Sequence, residues 1–197
     1  MQLVFASNNT NKINEIKLLL PSSITILSLH DIGCFEEIDE TATTIEGNAI
    51  LKANYVTQKY GYNCFADDSG IEVDFLNGKP GVHSARFAGE HRNDADNITK
   101  ILDELQNQAN RNANFKTVIC LNLNGTQTLF TGKIQGTITT QIKGNQGFGY
   151  DPIFMPNGHN TTFGEMNKLL KTQISHRGIA TKQLIAFLDL NNNKPTP

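Results

Sequence analysis

Apolar positions along the chain alternate between a strand-like and a helix-like period. QLVFA (2–6) is a short apolar run that suits a buried strand. Polar SNNTN (7–11) follows as turn and cap chemistry. NKINEIKLLL then sets Ile13, Ile16, Leu19 and Leu20 on one helical face until Pro21 stops it. Residues 44–60 carry Ile45, Ala49, Ala53, Val56 and Tyr60 at helical spacing, and Gly61 closes that helix. A strand is expected over 64–66, and Ser69-Gly70 is expected to turn the chain. IEVDF (71–75) alternates, with Ile71, Val73 and Phe75 on one side and Glu72 and Asp74 on a solvent side. Residues 94–108 predict a helix on Ile98, Ile101, Leu102 and Leu105. FKTVICLNL (115–123) and TLFTGKIQGTIT (128–139) predict strands joined at Asn124-Gly125, a strong hairpin signal. Glycine is dense from 144 to 164, a long irregular segment. Ser175 caps a last helix with Ala180, Leu184, Phe187 and Leu188 inward, and the tail 191–197 is expected to fray. This order mixes βα units with a hairpin and predicts a mixed-sheet α/β protein.

Composition narrows the function classes. A length of 197 residues is ample for one sizeable core, as one domain or one domain with two lobes. Basic residues number 17 against 19 acidic ones, which argues against a nucleic-acid or membrane-surface binder. No apolar run approaches the roughly 20 residues that span a bilayer, and no signal peptide is expected at the N-terminus. Cys34, Cys64 and Cys120 are far apart and without a CxxC, so they read as reduced, mostly buried thiols of a cytoplasmic protein. The histidines also lack ligand spacing. Any metal must therefore be held by oxygen, which favours Mg2+ or Mn2+.

Chemistry concentrates in four stretches, each of which also has a plain structural reading. In SNNTNK, a helix beginning near Asn9 points free N–H groups outward, and Lys12 in its first turn invites an anion; a simple cap beside a solvated lysine is the alternative. In ADDSG, Asp67 and Asp68 point to opposite faces of a strand, so one can enter a cleft; an Asx-turn with solvated acids is the alternative. The acidic run EEIDE (36–40) could add an oxygen ligand. In GNQGFGYDP, Gly147 and Gly149 bracket Phe148 ahead of Tyr150 and Asp151, which suits stacking on a base; the alternative is a plain glycine-rich connection. It matches neither GxGxxG nor GxxxxGK[ST]. KTQISHRG puts Lys171, Ser175, His176 and Arg177 at a helix start, again short of an anion, or simply a solvated basic turn.

Together, SNNTNKINEIK, TIEGNAILKA, FADDSGIEVDFLNGKPGVHSARFAG, GFGYDPIF and SHRGIA resemble the inosine/xanthosine triphosphate pyrophosphatase family over Ser7 to Ala180. The resemblance implies an elongated, twisted mixed sheet flanked by helices, with two lobes and an active-site cleft between them, in one domain over 1–197. It implies hydrolysis of ITP, dITP or XTP to monophosphate and pyrophosphate with Mg2+, in a cytoplasmic homodimer that binds neither nucleic acid nor membrane. Carried over by position, Ser7, Asn8, Asn9, Thr10, Asn11 and Lys12 bind the triphosphate, with Lys52 and Arg86 in support. Asp68 is the metal ligand and general base, and Ser69 touches the substrate. Phe148, Gly149, Tyr150 and Asp151 belong to the base and sugar pocket, and Lys171, His176 and Arg177 read the purine edge. The family's acidic pair is here Asp39-Glu40, either of which could join Asp68 on the metal. Donors at the 6-oxo edge would face adenine's amino group donor to donor, and buried donors left unpaired cost about 1–3 kcal/mol each. On this reading Arg177→Ala costs activity far more than stability.

Overall fold

The computed structural model describes residues 1–192. Six strands form one sheet: β1 (Gln2–Phe5), β2 (Thr25–Leu27), β3 (Cys64–Val73), β4 (Asn112–Leu123), β5 (Thr126–Ile138) and β6 (Phe154–Pro156), in the order β2-β1-β3-β4-β5-β6. β1 is parallel to β2 and β3, and the remaining pairings are antiparallel, so the sheet is mixed. Around it lie α1 (Thr10–Lys17), α2 (Ile45–Tyr60), α3 (Asp94–Glu104), α4 (Lys168–Ile174) and α5 (His176–Asn192). Asn124 and Gly125 both take positive φ between β4 and β5, as a two-residue hairpin turn requires.

One expectation is overturned at the centre of the sheet. Ser69-Gly70 does not turn the chain. Asp67, Asp68, Ser69 and Gly70 pair in register with Ile119, Val118, Thr117 and Lys116 of β4, so residues 64–73 make one continuous strand. Phe75 does not stay on the inner face; the chain leaves the strand at Asp74 in a 3-10 turn, and Phe75 is exposed. β2 and α4, short elements of three and seven residues, were not foreseen. Asn191 and Asn192 close α5 rather than starting the tail, and 193–197 lie outside the described residues.

Alternation along β3 decides what each face meets. Cys64 and Ala66 pack with Ala49, Ala53 and Val56 of α2. Phe65 packs with Ile16 of α1 and Ala180, Leu184 and Leu188 of α5, and its ring stacks on Phe5 at 4.7 Å. Farther along, Ile71 and Val73 join Ile98, Ile101 and Leu105 of α3 with Phe154 and Phe163. The polar residues Asp67, Asp68 and Ser69 thus sit mid-strand, between apolar clusters that fix them in place. Two glycines permit the close approaches that complete the site. A Cβ on Gly70 would lie 2.1 Å from the Gly81 carbonyl oxygen, where the 3-10 turn Gly81–Arg86 crosses β3. A Cβ on Gly132 would lie 1.9 Å from the His176 carbonyl, so the start of α5 rests directly on β5.

Candidate active site

Asp67 and Asp68 enter two different charge networks because adjacent strand residues face opposite ways. Asp67 is fully buried. Its Oδ1 lies 3.2 Å from Lys12 Nζ, and its Oδ2 accepts from Arg177 Nε at 3.1 Å and from the Ser69 hydroxyl at 3.2 Å. Arg177 also donates to Glu15 and, through Nη2, to Ser69 Oγ at 3.0 Å. Lys171 Nζ donates to Glu15 Oε1 at 2.6 Å and to Asp151. Burial alone would raise Asp67, but Lys12 and Arg177 outweigh it and hold the carboxyl well below its usual range. Glu15 is likewise kept low, its burial overcome by Arg177 and Lys171. For Asp151 burial wins over Lys171, and the carboxyl is raised.

On the α2 face Asp68 is less well answered. Its nearest donor is Asn48 Nδ2 at 3.3 Å, and Lys52 Nζ stands 3.8 Å away. Burial therefore raises its pKa, helped by the charges of Glu40 and Asp67 and opposed by Lys52. Lys52 donates to Glu40, whose other oxygen lies 3.6 Å from Arg86. Although burial lowers Lys52, Asp68 and Glu40 together raise it. Lys12 goes the other way: burial depresses it, with Lys52 and Arg177 adding repulsion.

Both networks border a cavity of about 350 Å³. The loop before α1 brings Ser7, Asn8 and Asn9 to it. Ser7 Oγ accepts the Asn9 N–H at 3.2 Å, and Asn9 caps α1 by accepting the Lys12 N–H at 3.1 Å. Of the residues foreseen from the sequence, the cavity lining brings together Ser7, Asn8, Asn9, Lys12, Glu40 and Lys52 with Asp68, Ser69 and Arg86. Phe148, Gly149, Tyr150, Asp151, Lys171, His176 and Arg177 complete it from the glycine-rich loop, α4 and the start of α5. Thr10, Asn11 and Asp39 do not line it. Asp39 is exposed and outside the lining, which leaves Glu40 as the member of the acidic pair that shares the cavity with Asp68.

Ser175 caps α5 as expected, its hydroxyl accepting the Gly178 N–H at 3.1 Å. His176 is buried and stacks on Phe115 at 4.5 Å; burial, with Arg177 and Lys171 close by, lowers its pKa well below 6.5, so the ring is neutral. Phe148 lies beneath Lys171 and Arg177, whose cationic ends are 4.7 and 5.5 Å from the ring centre. The solvated-turn reading of SHRG fails, because Lys171 and Arg177 are buried and their anions are Glu15, Asp67 and Asp151. Arg177→Ala should therefore cost stability as well as activity, since it takes one of two cations from each of the buried carboxylates Asp67 and Glu15.

Sequence reasoning missed Glu15, which joins Lys171 to Arg177, and Asn48, Arg92 and Asp94, and it named Glu37 only within the acidic run 36–40. Glu15 was findable: an acid three residues after Lys12 and beside the core residue Ile16 must meet a cation. Asp94 Oδ2 accepts the Gly149 N–H at 2.7 Å and so ties α3 to the glycine-rich loop. Nothing in its local sequence signals that.

A hard cation fits these residues. The donor set is all oxygen, and Asp68 is a buried carboxylate with only long contacts facing Glu40. Among the described residues no three His, Cys, Asp or Glu side chains converge into a full cage. Magnesium needs none, because it takes one or two carboxylates and completes its shell with water and phosphate.

The sequence profile of the Ham1 family matches residues 3–187. The chain belongs to the Ham1 family. Its Ham1 relatives include the dITP/XTP pyrophosphatase of Flavobacterium psychrophilum, 67% identical over 95% of this chain and 98% of that one. The dITP/XTP pyrophosphatase of Flavobacterium johnsoniae is 63% identical over 95% and 98%. The same fold is found in the Staphylococcus aureus Ham1 protein, with a TM-score of 0.89 at 39% identity over 97% of this chain and all of that one. A dITP/XTP pyrophosphatase from Mycobacterium abscessus has a TM-score of 0.77 at 38% identity, covering 95% and 99%. No helix among the described residues of this Ham1 chain is long and apolar enough to cross a membrane.

Proposed function

We propose that this Ham1 protein hydrolyses ITP, dITP and XTP to the nucleoside monophosphate and pyrophosphate. It does so with Mg2+, or Mn2+ in its place, and clears these nucleotides from the cytoplasmic pool. On this reading it works as a homodimer of single-domain, two-lobed subunits with the cavity between the lobes, and engages neither nucleic acid nor membrane. One observation carries the reading: the acidic wall of Asp68 and Glu40 shares a cavity with the helix start at Ser7–Lys12 and the half-buried ring of Phe148.

The triphosphate carries about four negative charges near neutral pH, so catalysis is mainly positioning and charge compensation. Ser7, Asn8 and Asn9 turn their side chains to the phosphates, and the N–H groups of the α1 start, including those of Thr10 and Asn11, lie behind them. Lys12 and Lys52 answer the charge from either side of β3, and Arg86 answers it from the 3-10 turn. Asp68 accepts the proton of the attacking water at Oδ1, because Oδ2 already takes the Asn48 N–H. Burial raises the pKa of this carboxyl in the metal-free protein. Asp68 and Glu40 would hold a bound Mg2+, which would add positive charge beside the phosphate oxygens.

Phe148 stacks on the base, with Gly149, Tyr150 and Asp151 shaping the pocket beside it. Arg177 spends one donor each on Asp67, Glu15 and Ser69, and Lys171 spends two, which leaves unbonded N–H groups on both for a 6-oxo purine. Adenine presents a donor there and is rejected. The test is a panel of ITP, dITP, XTP, GTP and ATP with Mg2+, products resolved by chromatography. Pyrophosphate released from the 6-oxo, deaminated substrates far faster than from ATP supports the reading. Release of orthophosphate, or binding without turnover, overturns it.

A further inference from the structure

Two segments frame the mouth of the cavity, and each is fastened to a helix by side chains. Residues 36–42 lie along α2. Glu36 Oε1 accepts from the Tyr55 hydroxyl, Lys59 Nζ and the Tyr60 hydroxyl, Glu40 accepts from Lys52, and the Ala42 N–H donates to Asn48 Oδ1. Residues 87–93 are held to α3, with Lys100 Nζ on the Phe87 carbonyl at 2.9 Å and the Ala88 N–H on Asn97 Oδ1 at 2.7 Å. An ion pair bridges these segments: Arg92 Nη2 lies 3.2 Å from Glu37 Oε1. Both residues line the cavity and both are exposed.

Arg92 is conformationally out of place. Among the described residues, the non-glycine positions with positive φ are Asn77, Asn107, Asn124 and Arg92, the last at φ +51. Asparagine tolerates that region, whereas arginine enters it at an energetic cost. An exposed ion pair returns little of that cost. The charge balance of the site gives the side chain a use. The paired groups around β3 already balance, since Glu15, Glu40, Asp67, Asp68 and Asp151 face Lys12, Lys52, Arg86, Lys171 and Arg177. A polyanion entering that cavity needs positive charge that is not already spent, and an arginine in a weak, solvated pair at the mouth can supply it.

We propose that Arg92 is a substrate-binding cation that rests on Glu37 in the free protein and moves to the phosphate chain when nucleotide enters. Glu37 is then a built-in competitor that sets KM. This rests on the reading of the cavity as a nucleoside triphosphate pocket.

The test measures ITP hydrolysis with Mg2+ for wild type, Glu37→Gln, Arg92→Ala and the double variant, with calorimetric binding of inorganic tripolyphosphate in parallel. Glu37→Gln lowers KM about twofold to fivefold by releasing Arg92, and Arg92→Ala raises it about threefold to tenfold. With Arg92 gone, Glu37→Gln shifts KM by less than about 1.5-fold. Added salt shrinks the gap between wild type and Arg92→Ala. Tripolyphosphate affinities follow the same order. An equal fall in KM on Glu37→Gln in both backgrounds means that the carboxylate acts through its general field, and the proposal fails. So does an unchanged KM in Arg92→Ala. Wild-type protein that leaves ITP untouched defeats the pocket reading itself, whereas normal hydrolysis with unaltered variants defeats only the role of Arg92.

Discussion

Replacing either aspartate of the doublet by asparagine removes one carboxylate charge at nearly constant shape, yet the two changes should act oppositely. Asp67 has no exposed surface, and Lys12, Arg177 and Ser69 all lie within 3.2 Å of it. In Asp67→Asn, Lys12 loses its carboxylate and Arg177 keeps only Glu15. Removing one partner from a buried ion pair costs about 3–5 kcal/mol. For a chain of this size each kcal/mol moves Tm by about 2–4 °C, so the midpoint should fall by about 6–20 °C. Asp68 already pays for its burial with a raised pKa, its nearest cation is 3.8 Å away, and Lys52 retains Glu40. Neutralising it relieves a penalised charge at neutral pH, so Asp68→Asn should melt no lower than wild type and at most about 3 °C higher. Its turnover should nevertheless drop by about a thousandfold or more, because the proton acceptor is gone. Thermal melts at pH 7 beside pyrophosphate-release assays read both quantities on the same preparations. Asp67→Asn as stable as wild type, or Asp68→Asn melting as low as Asp67→Asn, would refute the assignment of the two faces.

Three further outcomes follow from the same geometry. His176 is neutral and buried, with a folded pKa below its unfolded value, so its contribution is full above about pH 6.5 and is lost as pH falls, at about 1.4 kcal/mol per pH unit; urea titrations from pH 7 to 5 should show that slope, and His176→Gln should flatten it. Gly132→Ala places a methyl group against the His176 carbonyl, so it should cost about 1–3 kcal/mol and lower kcat/KM by shifting the start of α5, as read by urea melts and rates. Glu40→Gln should raise the Mg2+ concentration needed for half-maximal rate, whereas Asp39→Asn, on an exposed residue outside the cavity, should not; the reverse pattern would show that the ligand was assigned to the wrong member of the pair.

Periodic elements were legible because burial writes them into the sequence: α2, the β4–β5 hairpin and the apolar face of α5 follow from spacing alone. β3 was not, because its centre is polar. Asp67 to Ser69 look like a turn until their cations, supplied by residues more than a hundred positions away in the case of Arg177, are seen to neutralise them. The basic residues of SHRG advertised a missing anion, and the anion proved to be internal. Glu15 therefore escaped notice, although Lys12, Lys171 and Arg177 had all been singled out. The acidic pair shows the same limit at finer scale: adjacency on the chain says nothing about which side chain turns inward, and the packing of Ile38 and the Lys52–Glu40 contact decide it for Glu40.

The most direct measurement is a crystal structure of the wild-type protein with Mg2+ and an ITP analogue whose α,β-bridge resists hydrolysis. The account predicts the α-phosphorus beside Asp68, the outer phosphates on Ser7 to Lys12, and hypoxanthine against Phe148 with its oxo group toward Lys171 and Arg177. Phosphates seated away from Asp68, or a base directed out of the cavity, would contradict it.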